Sequence, residues 1–246
     1  MTRIVALASA GEYNPEVTLP RVAGRIAVAT HARLDVRTSD IAEDVPDFPL
    51  STFGDLSVLD DADLLILALR FRNVSDDELA ALAAYVDSGR PIIALRTSNH
   101  AFATPEERKL HAWAQEFPAT VLGSAWISHH GHTSTTRVTR VADSALLDGL
   151  PEDFVVDSWL YVAHAPADAT VLLWGEPIDP ETEPTPSPVA WIREIGGQRV
   201  FYTSLGSESD LERPEVLRLL ENAARWCLAV GTEDVGAEDA GAGDVR

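Results

Sequence analysis

Apolar and polar positions divide the first half of the chain into short apolar runs that alternate with longer helical patterns. The strand-like runs cover residues 3–9, 34–38, 63–69 and 91–95. The helical patterns cover residues 19–31, 75–89 and 105–117. The third apolar run is continuously apolar, which is typical of a strand that is covered on both faces. Strands that alternate with helices predict a parallel sheet with helices on both sides.

After residue 120 the pattern changes to short strand-like runs. These runs cover residues 137–141, 158–162, 170–174, 189–195 and 199–205. The pair Gly196-Gly197 between the last two runs is typical of a hairpin turn, so we expect extra antiparallel strands in the C-terminal half. Residues 214–230 form a last amphipathic helical pattern. We expect one α/β domain over residues 1–231 and an acidic, disordered tail over residues 232–246.

The charge of the chain restricts its partners. Of the 246 residues, 39 are acidic and 19 are basic, which gives a net charge of -20. An acidic surface repels nucleic acid and anionic membranes, so we expect neither as a partner, and a homo-oligomer stays open. Cys227 is the single cysteine, and no apolar run approaches the roughly 18 residues of a membrane span. The expected location is the cytoplasm.

Polar residues follow three of the predicted strands at the point where each strand ends. The first apolar run, 3–9, is followed by Glu12, Tyr13 and Asn14, and the third, 63–69, is followed by Arg70, Phe71 and Arg72. The fourth apolar run breaks more sharply, into Arg96, Asn99 and His100. Ligands of doubly wound sheets bind beyond the carboxyl ends of the strands, so these loops are candidates for a binding site.

A second candidate is the histidine-rich segment. His129, His130 and His132 are three of the seven histidines, and they fall within four residues. Neutral imidazoles bind metals and transfer protons near neutral pH. The spacing is not a standard zinc motif, and adjacent residues of an extended segment point apart. We therefore favour proton transfer or substrate binding and expect no cofactor, while a divalent metal remains an alternative.

Further carboxylates and a phenol occur in otherwise apolar surroundings. These residues are Asp157, Tyr161, Glu208 and Asp210. A carboxylate there can act as a general base or accept a hydroxyl hydrogen bond, although a helix cap or a solvated loop acid is equally common. Trp126 and Trp159 could stack on a flat ligand, although packing is the commoner role of tryptophan.

Four segments resemble, in order, the trehalose-utilisation (ThuA-like) family. They are residues 91–102, 128–133, 150–161 and 188–206. The resemblance runs from about residue 63 to residue 229 and implies a flavodoxin-like doubly wound sheet of the class I glutamine amidotransferase superfold. It also implies a role in the catabolism of trehalose or a related disaccharide, including an oxidised keto-glycoside. The family usually carries a histidine where this chain has Ser207.

The same resemblance excludes one activity. Amidotransferases of this superfold carry a cysteine nucleophile at the elbow where the strand turns into a helix, and Arg96 stands there in this chain. A guanidinium stays protonated and cannot attack a carbonyl. Cys227 is expected on the inner face of the last helix, as a small buried side chain. We therefore expect a protein that is not an amidotransferase.

Three functions stay open. The first is an enzyme that acts on a small-molecule sugar by acid/base chemistry. Its expected catalytic residues are His100, His130, His132 and Glu208. Its expected substrate-binding residues are Arg96, Asn99, His129, Asp157, Tyr161 and Asp210. The second is a non-catalytic sugar-binding or regulatory protein, and the third is a metal-dependent hydrolase that uses the histidine-rich segment.

Overall fold

A nine-stranded sheet forms the centre of the protein in the computed structural model, which describes residues 1–39, 50–178 and 185–229. The strands are β1 (Arg3–Ser9), β2 (Arg33–Thr38), β3 (Leu64–Leu69), β4 (Ile92–Leu95), β5 (Ser128–His129), β6 (Thr135–Arg140), β7 (Asp153–Val156), β8 (Tyr161–Val162), β9 (Thr170–Ile178), β10 (Ser187–Ile195) and β11 (Gln198–Thr203). The helices are α1 (Pro15–Ala29), α2 (Asp76–Asp87), α3 (His111–Phe117) and α4 (Pro214–Cys227).

The strand order is β2-β1-β3-β4-β11-β10-β9-β6-β7. The first five strands of this order pair in parallel. They follow the flavodoxin-like order, with β11 in the place of the fifth strand. The remaining strands pair antiparallel. The predicted fold class, a doubly wound parallel sheet with antiparallel strands added in the C-terminal half, is confirmed.

Alternate residues of the parallel strands enter two separate cores, one on each face of the sheet. In β1, Ile4 packs into the core that contains α1 and α4, and Val5 packs into the core that contains α2 and α3. All six residues of β3 and all four of β4 are buried, which explains their continuously apolar sequence. Cys227 is buried on the inner side of α4, as expected.

The sequence predicted the start of one helix correctly and the start of another wrongly. Ser75 and Glu78 form the predicted capping box at the start of α2. By contrast, α3 begins at His111 and not near Pro105, because the four consecutive charged residues at 106–109 offer no apolar face to the sheet. The predicted strand at 158–162 shrinks to β8, which pairs only with β5.

Two further expectations concern the C-terminal tail and membrane-spanning helices. The acidic tail predicted at residues 232–246 lies outside the described residues. No helix in the described ranges has the length and the apolar character that crossing a membrane requires.

Candidate functional site

The elbow after β4 places Arg96 beyond the carboxyl end of the sheet. The strand ends at Leu95, and the chain enters a tight 3-10 turn, Arg96–His100. Arg96 has a φ of 40°, a left-handed conformation that a non-glycine residue adopts only where its surroundings enforce it. Gly206, in the loop after β11, allows the close approach: a Cβ there would lie 3.2 Å from the Cβ of Arg96. Two loops are thus packed tightly around the elbow residue.

The Arg96 guanidinium is buried among aromatic rings. The side chain is 2% exposed, and its Cζ lies 4.5 Å from the ring centroid of Tyr13, 4.5 Å from that of Tyr161 and 5.2 Å from that of Trp159. Its Nη1 donates to the carbonyl oxygen of Ser204 at 2.8 Å, and its Nη2 donates to the Tyr13 hydroxyl at 3.3 Å. Its Nε has no hydrogen-bond partner in the structure. Among the described residues, no carboxylate forms an ion pair with this cation.

A cavity of about 420 Å³ lies over these aromatic rings, and we call it the first cavity. Its lining consists of Glu12, Tyr13, Arg70, Phe71, His100, Trp126, His129, His132, Trp159 and Tyr161. The first five come from the loops after β1, β3 and β4, so the carboxyl ends of the parallel strands form one wall. A volume of this size is typical of small-molecule sites.

The opposite wall is the histidine-rich segment, which backbone hydrogen bonds hold across the sheet edge. Trp126 N–H donates to the Asn99 carbonyl at 3.0 Å, and the β5–β8 pair sets His129 opposite Tyr161. The rings of His129 and His132 stack with centroids 4.8 Å apart, and His132 lies 4.4 Å from the ring of Trp159. The elbow and the distant histidine-rich segment thus lie over the same end of the sheet.

Hydrogen bonds fix the tautomers of two imidazoles. His129 Nδ1 lies 2.6 Å from the His130 carbonyl oxygen, and His100 Nδ1 lies 2.7 Å from Asn99 Oδ1. Both oxygens only accept hydrogen bonds, so each Nδ1 carries the proton and donates it. In the neutral rings each Nε2 therefore keeps its lone pair and can accept a hydrogen bond or a proton.

The environment of His100 keeps its ring neutral. Burial, and to a smaller extent the nearby cations of Arg70 and Arg96, together lower the pKa of His100 to about 3. His100 is therefore a hydrogen-bond acceptor at Nε2 and a weak base.

The state of His100 is testable by NMR. We expect its imidazole signals to show no titration between pH 8 and pH 5, with free imidazole in the sample as the internal reference. The pKa is depressed in the folded state, so below about pH 6.5 the unfolded chain binds a proton that the native ring does not, and stability falls. His100→Gln should make the acid-side loss of stability shallower. A His100 titration midpoint above pH 5 would contradict this assignment.

Other predicted site residues lie outside the first cavity. His130 is buried, and its Nε2 lies 3.2 Å from the Thr185 carbonyl, which gives it a structural position. Asp210 is fully buried and accepts from the backbone N–H groups of Gly206 and Ser207 at 3.0 and 3.1 Å, so it holds the loop next to the elbow. Asn99 positions His100 and does not line the cavity.

Glu208 and Asp157 belong to a neighbouring site of about 600 Å³, which we call the second cavity. It shares Tyr13 and Trp159 with the first cavity, so these two rings separate the two spaces. Glu208 is exposed and accepts a hydrogen bond from Asn14 Nδ2 at 3.1 Å. The predicted site residues are thus divided between two adjoining cavities.

Several cavity residues received no predicted role. Glu12, Tyr13, Arg70 and Phe71 follow strands β1 and β3, and their position predicted the loops as candidates without giving each side chain a role. Glu12 and Arg70 form an ion pair at 3.0 Å at the cavity wall. Across residues 1–39, 50–178 and 185–229, no group of three His, Cys, Asp or Glu side chains is arranged to hold a metal ion.

The fold and the elbow define the class of the protein: an α/β protein with a flavodoxin-like parallel sheet and an arginine in left-handed conformation at the elbow after β4. The family model described as trehalose utilisation (ThuA) matches residues 20–227. The chain belongs to this family. None of the curated proteins matches it significantly in sequence.

Solved structures show the same fold at low sequence identity. A ThuA-like protein from Parabacteroides merdae ATCC 43184 is 12% identical with a TM-score of 0.63, over 96% of this chain and 94% of that one. A β-galactosidase from Rahnella sp. R3 is 16% identical with a TM-score of 0.56, over 92% of this chain and 31% of that one. The carbohydrate deacetylase Agd3 is 12% identical with a TM-score of 0.54, over 93% of this chain and 32% of that one.

Proposed function

We propose that the protein binds a carbohydrate in the first cavity and acts on it by acid/base chemistry. The observation that carries the proposal is the composition of the cavity wall. Aromatic rings of Tyr13, Trp126, Trp159 and Tyr161 alternate there with hydrogen-bonding groups. Sugars combine apolar C–H faces, which pack on aromatic rings, with hydroxyl groups that need polar partners.

Family membership supports the same class of ligand. The family is described by trehalose utilisation, and two proteins with this fold are named as a galactosidase and a carbohydrate deacetylase. We therefore place the substrate among disaccharides such as trehalose and their oxidised keto-glycosides. The second cavity adjoins the first and offers the carboxylates of Asp157 and Glu208 to further hydroxyl groups, which gives room for a second sugar ring.

The structure suggests a division of roles within the first cavity. His129 is the proton acceptor, because its Nδ1 is engaged by the His130 carbonyl and its Nε2 lone pair is available. His132 stacks on His129 and positions it. His100 accepts a hydrogen bond from a sugar hydroxyl. The proposal uses no metal and no cofactor.

His129→Gln tests the catalytic part of the proposal. Incubation of the protein with a panel of neutral and keto-disaccharides, followed by mass spectrometry, identifies a substrate. For that substrate we expect His129→Gln to lower kcat by about 10²- to 10⁴-fold with little change in KM, because the variant removes a proton acceptor.

The matched control for that experiment is His31→Asn. His31 is exposed between α1 and β2, at the amino end of the parallel strands, and its replacement should leave kcat unchanged. Equal kcat values for His129→Gln and the wild type would remove His129 from the mechanism.

A non-catalytic sugar-binding protein is the second candidate. It is favoured by the neutral state of His100 and by the ion pair that engages Glu12 with Arg70. Both reduce the number of cavity groups that are free to transfer a proton. Sugar binding without any product over a long incubation would select this function.

A further inference from the structure

The charges around the first cavity do not balance. Arg70 is paired with Glu12 at 3.0 Å, whereas Arg96 has no carboxylate partner among the described residues. These three groups leave one positive charge next to the cavity, in a chain whose net charge is -20. The buried carboxylate of Asp210, in the loop next to the elbow, accepts from the backbone N–H groups of Gly206 and Ser207 and does not line the cavity. The site is therefore locally cationic within an acidic protein.

The positive charge of Arg96 acts on the cavity through a thin aromatic wall. The rings of Tyr13, Trp159 and Tyr161 contact the guanidinium and also line the first cavity. Such a wall excludes water, so the charge is screened weakly over this short distance. Tyr13 also hydrogen-bonds to the cation directly, since its hydroxyl oxygen accepts a hydrogen bond from Arg96. The hydroxyl proton of Tyr13 can in turn be donated to a ligand.

A buried cation without a counter-ion is an unusual arrangement. Removing a charge from water costs several kcal/mol, and ring faces and carbonyl oxygens compensate only in part. The buried Nε of Arg96 and the buried Nδ2 of Asn99 also lack hydrogen-bond partners. An anion in the first cavity would reduce the electrostatic part of this cost.

We infer, on the basis of the proposed carbohydrate function, that the preferred ligand is an oxidised sugar that carries a carboxylate in place of a ketone, which is the uronate or aldonate class. Its carboxylate lies in the first cavity, on the side of Arg70 and Arg96. Its neutral hydroxyl groups point toward the second cavity.

The acidic surroundings fix this orientation and do not prevent binding. Asp157, Glu208 and Glu212 line the second cavity and repel a carboxylate from it, while they accept hydrogen bonds from hydroxyl groups. The remaining acidic residues act over longer distances, and salt at physiological strength screens exposed charges beyond about 8 Å. The local positive charge therefore favours a negatively charged ligand over a neutral one in the first cavity.

The test compares glucuronate with glucuronamide, a neutral isostere, by isothermal titration at low ionic strength. We expect the full-length protein to bind glucuronate at least about tenfold more tightly, a difference of about 1.4 kcal/mol. Glu12→Gln should increase this preference because it frees Arg70 from its partner. Arg70→Gln and Arg96→Gln should decrease it, whereas Arg96→Lys should retain part of it.

The control variant is Arg199→Gln, which removes a cation that stacks on Trp226 away from both cavities. Its preference should equal that of the wild type. The Glu12 and Arg70 variants keep the test valid even if the Arg96 variants fail to fold.

The outcomes separate this inference from the proposed function. Equal or weaker binding of glucuronate than of glucuronamide overturns the inference and leaves the carbohydrate proposal standing. Binding of neither sugar to the wild type, in a preparation that also binds no disaccharide, overturns both. If acetate binds as tightly as glucuronate, the first cavity is an anion site, and the claim that it recognises an acidic sugar is overturned.

Discussion

Replacing Trp159 with alanine is expected to weaken carbohydrate binding about 30-fold or more. The indole forms the partition between the two cavities and contacts Arg96, Tyr13 and His132. A central aromatic side chain of a binding site commonly contributes about 2 kcal/mol or more, and this energy corresponds to about 30-fold in affinity. Titration calorimetry with the tightest ligand of the panel measures the effect.

Trp226→Ala is the matched control for this experiment. Trp226 also stacks with an arginine, Arg199, but it lies on α4 outside both cavities. We expect no change in affinity for this variant, and Trp159→Phe should recover part of the binding. If Trp159→Ala binds the sugar as tightly as the wild type, the ligand does not contact the wall that the two cavities share.

Two buried arginines are expected to differ in how much stability the protein loses when each is replaced by methionine. Arg193 is 8% exposed, and its Nη1 donates to the carbonyls of Thr120 and Val121 at 2.8 and 2.9 Å. Arg193→Met leaves these two carbonyls without a charged donor and should lower the free energy of unfolding by about 2–4 kcal/mol. The exposed partner Asp168 adds little to this figure.

Arg96→Met should change the free energy of unfolding by no more than about 1 kcal/mol. The variant loses two hydrogen bonds, to the Ser204 carbonyl and the Tyr13 hydroxyl, and three ring contacts, but it also removes an uncompensated buried charge. We expect it to lose the preference for acidic sugars at the same time. Urea denaturation of both variants makes the comparison, and a loss of stability as large as that of Arg193→Met would show that Arg96 has a structural role.

Much of the fold was predictable because each buried parallel strand has a recognisable local pattern, a continuous run of apolar residues. Strands such as β3 are covered on both faces, so every residue is apolar and the run is unmistakable. The four-residue strand β7 was missed, because only Phe154 and Val156 of its side chains are buried. Short edge strands are set by pairing with a distant partner, and this information is absent from a local pattern.

The candidate site was predictable at the level of loops and not at the level of side chains. The loop after β4 and the histidine-rich segment were both identified, and the structure places them at one cavity. The choice between His129 and His130 was not predictable. Adjacent residues of a strand point to opposite sides, and only the pairing of His129 with Tyr161 on β8 decides which ring faces the cavity.

The aromatic surroundings of Arg96 could not be predicted either. Tyr13 and Arg96 are far in sequence from each other and from the pair Trp159 and Tyr161, and no local pattern brings the three rings around one guanidinium. The sequence showed that the elbow lacks a nucleophile. It did not show that the elbow residue would be a cation without a counter-ion.

The six tryptophans allow the most direct test of the central claim, which is that a carbohydrate binds in the first cavity. In an NMR titration of the ¹⁵N-labelled protein with neutral and acidic disaccharides, each indole N–H gives its own signal. Only Trp126 and Trp159 line the first cavity. We expect a binding sugar to shift these two signals and to leave those of the other four tryptophans in place. Shifts confined to the other four, or no shift with any sugar, would contradict the account.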